Sequence, residues 1–264
     1  MLLIILLKTI PILLCSMTSK SHTTPTLLSL LLGAMLFTSC EKEKEAVAPV
    51  SPSNMTLLLE HHVDGEPLLY DSLKYTNEAG HSWSVNRLEY YVSEIILHGS
   101  GGTPDDTIHG PYLVNGEGER TFDLGQLPAG SYTGASLLLG LPPSLNTTGA
   151  LPNTIENLNM AWPDPMGGGY HFIKFEGHFM NGTTPTGFAM HVGKDMYLPH
   201  CELPQPFALD GGSGTLALRF NLNEVFRTPN TYDLSTGNYS MGNMTLMGQL
   251  RDNCTDAFAI EYRP

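Results

Sequence analysis

Histidine is the residue whose number and spacing point most clearly to chemistry in this sequence. Nine of the ten histidines follow residue 40, and His171, His178, His191 and His200 fall within a single stretch of the chain. Imidazole nitrogen is a donor that copper, zinc and iron all accept in proteins. Taken singly, each of these histidines is more often a structural or surface residue. Their concentration indicates that some of them bind a metal together.

Four histidines are the candidate metal ligands: His191, His171, His178 and His62. His61 and His62 are neighbours in a predicted strand and point to opposite faces, so at most one of them can serve a given site. His171 is predicted to share one face of its strand with Ile173 and Phe175 and therefore to be buried, where an imidazole needs a hydrogen-bond partner or a metal. Ligands on strands meet through folding, so spacing alone does not choose among the four.

The common signatures of enzymes are absent from the sequence. It contains no Gly-x-Ser-x-Gly elbow, no phosphate-binding glycine loop and no His-Glu-x-x-His. The run MGGGY at residues 166–170 is not followed by Lys-Ser/Thr, so it indicates a turn before a strand. A copper-dependent oxidase would need a marked catalytic acid or base, and none is evident. We therefore expect a protein without turnover of its own.

Short strands between turns account for most of the chain that follows residue 52. The sequence holds 27 glycines and 19 prolines but only 15% charged residues. Apolar alternation predicts strands within residues 55–68, 82–99, 121–143, 170–180, 186–193 and 214–222. Short helices are predicted within 152–162 and within 240–254, the second with Ser240 as its N-cap. The pattern indicates an all-β protein, a single antiparallel, Ig-like β-sandwich over residues 53–264 with Gly/Pro-rich loops.

The first 40 residues have the pattern of a bacterial lipoprotein signal peptide. Residues 1–39 contain no Asp or Glu, and an apolar run after Lys20 ends in LFTSC at Cys40. We expect residues 1–39 to be removed and Cys40 to be lipidated, with Met17 as an alternative start. An ordinary signal peptide cut nearby is the other interpretation. The domain is then expected outside the cytoplasm, anchored to the outer membrane on its periplasmic or outer face.

Residues 40–52 are charged and then rich in Pro and Ser, which predicts a tether rather than folded structure. All 26 acidic residues and 11 of the 13 basic residues lie after Cys40, so the mature chain carries a formal charge of −15. Such a surface repels nucleic acid and attracts cations. Nucleic-acid binding is therefore excluded.

Cys201 and Cys254 are the cysteines left in the mature chain. An even pair in an oxidising compartment predicts a disulfide. One thiolate serving as a metal ligand is the alternative.

Four blocks of sequence, in this order, resemble the MbnP-like copper-binding proteins: YTNEAGHSWSVNRLEYYVSEIIL, LPAGSYTGASLLLGLP, MAWPDPMGGGYHFIKFEG and GFAMHVG. The resemblance covers essentially the whole domain. It implies an extracytoplasmic β-sandwich that binds one copper ion. In that family the metal is held by histidines together with a tryptophan oxidised to kynurenine, and a di-haem protein of the cytochrome c peroxidase type performs the oxidation.

Carried over by position, the resemblance makes His191 in MHVG the first candidate ligand. Trp162 is the first candidate for a modified tryptophan, and Trp83 is the second. A close Trp-x-His pair, which some relatives use, is missing; the chain has the reverse order at His81-Ser82-Trp83. Packing over the glycine-rich turn is the alternative role for Trp162. Three methionines add soft donors for Cu(I), with core packing as the alternative: Met160, Met166 and Met190.

The sequence thus predicts a lipid-anchored copper-binding protein that captures, stores or hands on copper, with a di-haem protein as a candidate partner. The alternative is a surface recognition module for a glycan or protein ligand. Its binding platform would be aromatic, formed by Trp83, Tyr90, Tyr91, Trp162 and Tyr170.

Overall fold

The computed structural model describes residues 51–264 with the exception of Glu119. The predicted signal peptide, the lipidation site Cys40 and almost all of the predicted tether lie outside the described residues. Among the helices of the described residues, none is both long and apolar enough to cross a membrane.

Two sheets make up the domain, and two long connections between strands carry its short α-helices. In chain order the strands are β1 (Ser53–Val63), β2 (Glu66–Pro67), β3 (Tyr75–Thr76), β4 (Ser82–Ser100), β5 (Asp106–Ile108), β6 (Tyr112–Asn115), β7 (Thr121–Leu127), β8 (Gly130–Leu139), β9 (His171–Asn181), β10 (Thr184–Gly193), β11 (His200–Leu203), β12 (Phe207–Leu209), β13 (Ser213–Asn221) and β14 (Phe258–Arg263). The prediction of an all-β sandwich is confirmed.

The smaller sheet has the order β14-β13-β1-β2, with β7 also paired to β1. The larger sheet has the order β10-β9-β4-β8-β11, and the short strands β3, β5 and β6 pair with β4 while β12 pairs with β8. Among the strands of the described residues, β1 and β13 pair in parallel and the other pairs are antiparallel. The strand β10 lies at an edge of the larger sheet, and this edge carries the candidate site.

Aromatic side chains fill the space between the two sheets. Trp83 on β4 packs edge to face against Phe175 on β9 and against Phe226. Tyr90 makes the same kind of contact with Phe220 on β13. Burial along β1 alternates strictly, as expected for a strand with one face on the core. The core therefore packs against the inner faces of β4 and β9, and Arg87, Lys174 and Glu176 lie on the outer faces.

The strand β4 covers the strand predicted within residues 82–99, and its pairing to β8 and to β9 shows register shifts of the kind that β-bulges cause. A further shift breaks the β9–β10 hairpin, where Val192 pairs with Ile173 but Gly193 pairs with His171. One residue of β9 is left without a partner there, as in a β-bulge. The predicted sharing of one face by His171 and Ile173 is therefore wrong, because the bulge turns His171 towards the outer-face residue His191.

Two short α-helices are present among the described residues: α1 (Ile155–Asn159) and α2 (Met244–Asn253). The side chain of Asn243, rather than that of Ser240, accepts a hydrogen bond from the first turn of α2. The prediction of Ser240 as the N-cap is thus wrong by three residues. Ser240 is instead fully buried, and its hydroxyl bonds to the backbone of β10.

Candidate metal centre

The loop that precedes β9 folds back onto the start of that strand. The backbone N–H of Trp162 donates to the carbonyl of Gly169 at 2.9 Å, and the N–H of His171 donates to the carbonyl of Met160 at 2.7 Å. The three glycines of the loop, residues 167–169, all have positive φ, which ordinary side chains disfavour. This tight turn places Trp162 directly beside His171.

Three rings from three segments meet at this edge of the sheet. The indole of Trp162 lies 4.7 Å from the imidazole of His171, centroid to centroid. The imidazole of His191 on β10 meets His171 edge to face, with centroids 5.0 Å apart. Gly193 makes room for the cluster, since a Cβ built there would lie 2.5 Å from Cε3 of Trp162. We call Trp162, His171 and His191 the ring cluster.

Hydrogen bonds determine which nitrogen of each imidazole carries a proton. Nδ1 of His171 lies 3.1 Å from the carbonyl oxygen of Met160, which can only accept. Nε2 of His191 lies 2.8 Å from Oε1 of Glu176. When neutral, both rings therefore have their N–H pinned by an oxygen, which leaves the lone pairs on Nε2 of His171 and Nδ1 of His191 free for a ligand.

The electrostatics of the ring cluster keep His171 neutral. Burial, followed by the positive charge of Lys174 and by His191, lowers the pKa of His171 to about 3. The hydrogen bond from His191 lowers the pKa of Glu176, so this carboxylate is ionised at neutral pH. A neutral imidazole beside a second imidazole whose N–H is held by a carboxylate is an arrangement that suits a metal ion.

Ser240 fixes the backbone of His191. Its Oγ accepts from the N–H of His191 and donates to the carbonyl of the same residue, both at 2.6 Å. A backbone hydrogen bond joins the same two segments nearby, since the N–H of Ala189 on β10 donates to the carbonyl of Asn238 at 2.8 Å. The segment that precedes α2 thus covers the free edge of β10 and holds the residue that carries the second imidazole.

The other two predicted histidine ligands lie away from the ring cluster. His178 is exposed on β9 at the level of Gly187, closer to the hairpin turn than His191 is. His62 lies on β1 in the smaller sheet, with Nε2 3.9 Å from a carboxylate oxygen of Glu60. Of the four predicted ligands the structure therefore brings together two. Within residues 51–264 apart from Glu119, no three histidine, cysteine, aspartate or glutamate side chains form a ready-made metal cage.

The two tryptophans have different surroundings. Both are buried, and the indole N–H of each lacks a hydrogen-bond partner. Trp83 is surrounded by Tyr75, Phe175 and Phe226 in the core. Trp162, in contrast, borders a histidine. The second-choice tryptophan is thus a core residue, and the first choice lies at the candidate centre.

The predicted disulfide is not formed in the structure. Cys201 and Cys254 are free, buried thiols, and Sγ of Cys201 donates to the backbone carbonyl of Cys254 at 3.0 Å instead of bonding to its sulfur. Burial raises the pKa of Cys254 to about 12 and that of Cys201 well above its ordinary value. Neither sulfur is therefore prepared to act as a thiolate ligand.

The aromatic platform of the alternative prediction is not present on the surface. Its five members are each at most 5% exposed: Trp83, Tyr90, Tyr91, Trp162 and Tyr170. A cleft of about 750 Å³ does lie between β6 and α1, and Met160, whose carbonyl accepts from His171, forms part of its wall. The cleft is lined by side chains that the platform prediction does not name, apart from Tyr91.

Three residues of the centre were not predicted from the sequence. Glu176 and Ser240 bind His191, and Gly193 makes room for Trp162. The sequence carries a weak signal for Glu176, since this residue and Lys174 share the polar, outer face of a predicted strand. Nothing local marks Ser240, because it reaches His191 across 49 residues of sequence.

Comparison with known proteins finds similarity to the MbnP family in sequence and in structure. The family model MbnP matches residues 52–245, which is more than half of the chain. Among solved structures, MbnP from Methylosinus trichosporium matches with a TM-score of 0.52, covering 81% of this chain and 99% of that chain at 12% sequence identity. At that identity the structural likeness establishes the fold alone. No curated protein matches the chain in sequence.

Proposed function

Because the chain belongs to the MbnP family, we propose that it binds copper as its cargo at the ring cluster. The observation that carries the proposal is the contact between the imidazoles of His171 and His191, each with one nitrogen pinned by an oxygen. The free nitrogens, Nε2 of His171 and Nδ1 of His191, are the donors that would hold the ion.

The donor chemistry fits copper. Imidazole is a good ligand for copper, and copper(II) forms the strongest complexes of the divalent first-row metals. Burial keeps His171 neutral, so that a proton does not compete for its lone pair at neutral pH. The acidic surface, with its formal charge of −15 after Cys40, raises the local concentration of cations.

We further infer that Trp162, rather than Trp83, is the tryptophan to test for conversion to kynurenine. Trp162 borders His171, whereas Trp83 packs against phenylalanines in the core. The unpartnered indole N–H of Trp162 leaves a polar atom free at the centre. The oxidant would be a di-haem partner protein of the cytochrome c peroxidase type. Peptide masses from cells that contain or lack such a partner test this inference.

The cellular role that fits these features is capture, storage or transfer of copper outside the cytoplasm. Lipidation of Cys40 after removal of residues 1–39 would tether the domain to the outer membrane through residues 40–52. The support for this placement is the LFTSC sequence and the acidic segment that follows it. Mass spectrometry of the amino-terminal peptide, with and without globomycin treatment of the cells, tests it.

Copper titration of the purified protein tests the proposal. We expect one copper per chain, with binding lost in His171→Ala and in His191→Ala. His178→Ala is the matched control, because it removes an imidazole from the same strand as His171 but outside the ring cluster. Unchanged copper binding in both His171→Ala and His191→Ala would contradict the proposal. Equal loss in the control would contradict the choice of ligands.

A further inference from the structure

Three methionines lie on the loops that adjoin the ring cluster: Met166 in the loop that follows Trp162, and Met241 and Met244 in the segment that follows Ser240. Met160 and Met190 are buried and belong to the core. Met166 and Met241 are half-buried, whereas Met244 is 66% exposed. Core packing explains neither the exposure of Met244 nor that of Met196, which is 64% exposed. Of the two, Met244 is the one that begins the helix directly after Gly242 and Asn243.

Two loops bring these methionines together. The N–H of Asn243 donates to the carbonyl of Ser240 at 2.9 Å, which closes a turn with Met241 and Gly242 at its tip. The terminal methyl carbon of Met166 lies 3.8 Å from the position that a Cβ on Gly242 would occupy. The thioether of Met166 therefore rests on the same turn that carries Met241, and Met244 begins α2 just beyond it.

The same turn is tied to the metal centre. Ser240, its first residue, makes both hydrogen bonds to the backbone of His191. On the other side, Met166 follows Trp162 closely in the chain, in the 3-10 turn Asp164–Met166. The methionine-bearing loops are thus attached to the two sides of the ring cluster, one at His191 and one at Trp162.

We propose that Met166, Met241 and Met244 form a thioether site that receives Cu(I) at the rim of the ring cluster. Soft thioether sulfur selects Cu(I) over the harder divalent ions that prefer nitrogen and oxygen donors. The proposal rests on copper being the cargo of the centre. The monovalent ion would bind there to thioether sulfur, whereas the histidines of the ring cluster offer imidazole nitrogen.

Silver(I), a redox-inert ion with the same preference for thioethers, is the probe. In protein labelled with ¹³C at the methionine methyl groups, we expect silver(I) to shift the resonances of Met166, Met241 and Met244 first. The resonances of Met160 and Met190 should move little at one equivalent. Residue-specific assignment separates this site from binding at the buried sulfurs of Cys201 and Cys254. Unshifted rim resonances at one equivalent would overturn the proposal.

Leucine variants provide the second measurement. Leucine has nearly the volume of methionine and no sulfur, so the triple variant of Met166, Met241 and Met244 to Leu should fold. Its silver(I) affinity should fall at least about tenfold, while its copper(II) binding at the histidines persists. Met180→Leu, near the hairpin turn of β9 and β10, is the matched control. Unchanged silver(I) affinity in the triple variant would also overturn the proposal.

His191→Ala separates this proposal from the histidine site. If rim resonances still shift with silver(I) in that variant, the thioether site stands independently of the histidines. If the wild-type protein binds copper(II) at the histidines but its rim resonances do not move, the thioether site fails alone. If rim resonances move but copper(II) binding is insensitive to both histidines, the proposed histidine centre fails alone.

Discussion

The imidazole rings of His171 and His191 meet edge to face, with centroids 5.0 Å apart and ring planes at 89°. Each ring is held by an oxygen acceptor on one nitrogen, Met160 for the first and Glu176 for the second. The two imidazoles that carry the free nitrogens come from adjacent strands of one sheet. The hairpin fixes the backbone of both strands, and Ser240 fixes that of His191. The candidate centre is therefore rigid before any ion binds.

Substitution Glu176→Gln should weaken copper binding about 10-fold to 100-fold, because the carboxylate that holds the N–H of His191 is replaced by a neutral amide. A competition titration with a colorimetric chelator measures the change. Glu89→Gln is the matched control, since Arg87 contacts both carboxylates and only Glu176 reaches His191. Tighter copper binding in Glu176→Gln would show that Glu176 competes with the ion for Nε2, contrary to the assignment of Nδ1.

Substitution Ser240→Ala should lower the free energy of unfolding by about 1–3 kcal/mol, because the backbone N–H and carbonyl of His191 lose a buried partner. Copper affinity should fall as well, since the strand that carries His191 is no longer anchored. Urea unfolding of the metal-free protein measures the first effect. Ser235→Ala, an exposed serine of the same segment, should change stability by less than about 0.5 kcal/mol. Equal behaviour of the two variants would refute the anchoring role.

Substitution Gly193→Ala should displace the indole of Trp162, because the new Cβ would lie 2.5 Å from Cε3. Overpacking of this kind costs about 1–3 kcal/mol of stability. The near-ultraviolet circular dichroism of the protein should change together with its copper affinity. Gly248→Ala in α2 meets no atom within 4 Å and should stabilise the protein by up to about 1 kcal/mol. An unchanged tryptophan signal in Gly193→Ala would contradict the packing described.

The buried His61 should make stability depend on pH. Burial lowers the pKa of His61 to about 3. Between pH 6.5 and pH 3, His61 therefore binds a proton in the unfolded chain but stays neutral in the folded protein. Its contribution to stability is complete above pH 6.5 and declines towards pH 3, by up to about 1.4 kcal/mol per pH unit.

Urea unfolding of the metal-free protein at pH 7 and pH 5 measures this dependence. His61→Gln can keep a hydrogen bond to Tyr90 and should reduce the difference between the two pH values. His171, whose pKa is lowered in the same sense, contributes to the remaining difference, and Glu224, whose pKa is raised by burial, acts in the opposite sense. Acidic groups with a lowered pKa, such as Glu60 at about 2 beside Arg263, contribute below pH 4.5. Identical differences in wild type and variant would contradict the assignment.

The fold could be predicted from the sequence because its causes are local. Apolar alternation along residues 170–180 and 214–222 follows from one face of each strand packing on the core. The region of the candidate centre was also predictable, since Trp162, His171 and His191 come from the blocks that resemble the MbnP family. The family is now established by the match to its model.

The composition of the candidate centre could not be predicted, because it depends on strand register. A single bulge opposite Gly193 turns His171 towards His191, and strict alternation would have turned it away. His178 has a similar sequence context but lies closer to the hairpin turn. Ser240 looked like a helix cap from its neighbours, yet the contact to His191 across the fold decides its role. Local patterns carry no information on such long-range pairs.

Anomalous diffraction at the copper edge, from crystals grown with one equivalent of copper, tests the central claim most directly. We predict a single strong peak bonded to Nε2 of His171 and Nδ1 of His191, beside the ring of Trp162. A peak bonded to neither histidine, for example at His62 or His178, would contradict the proposed centre.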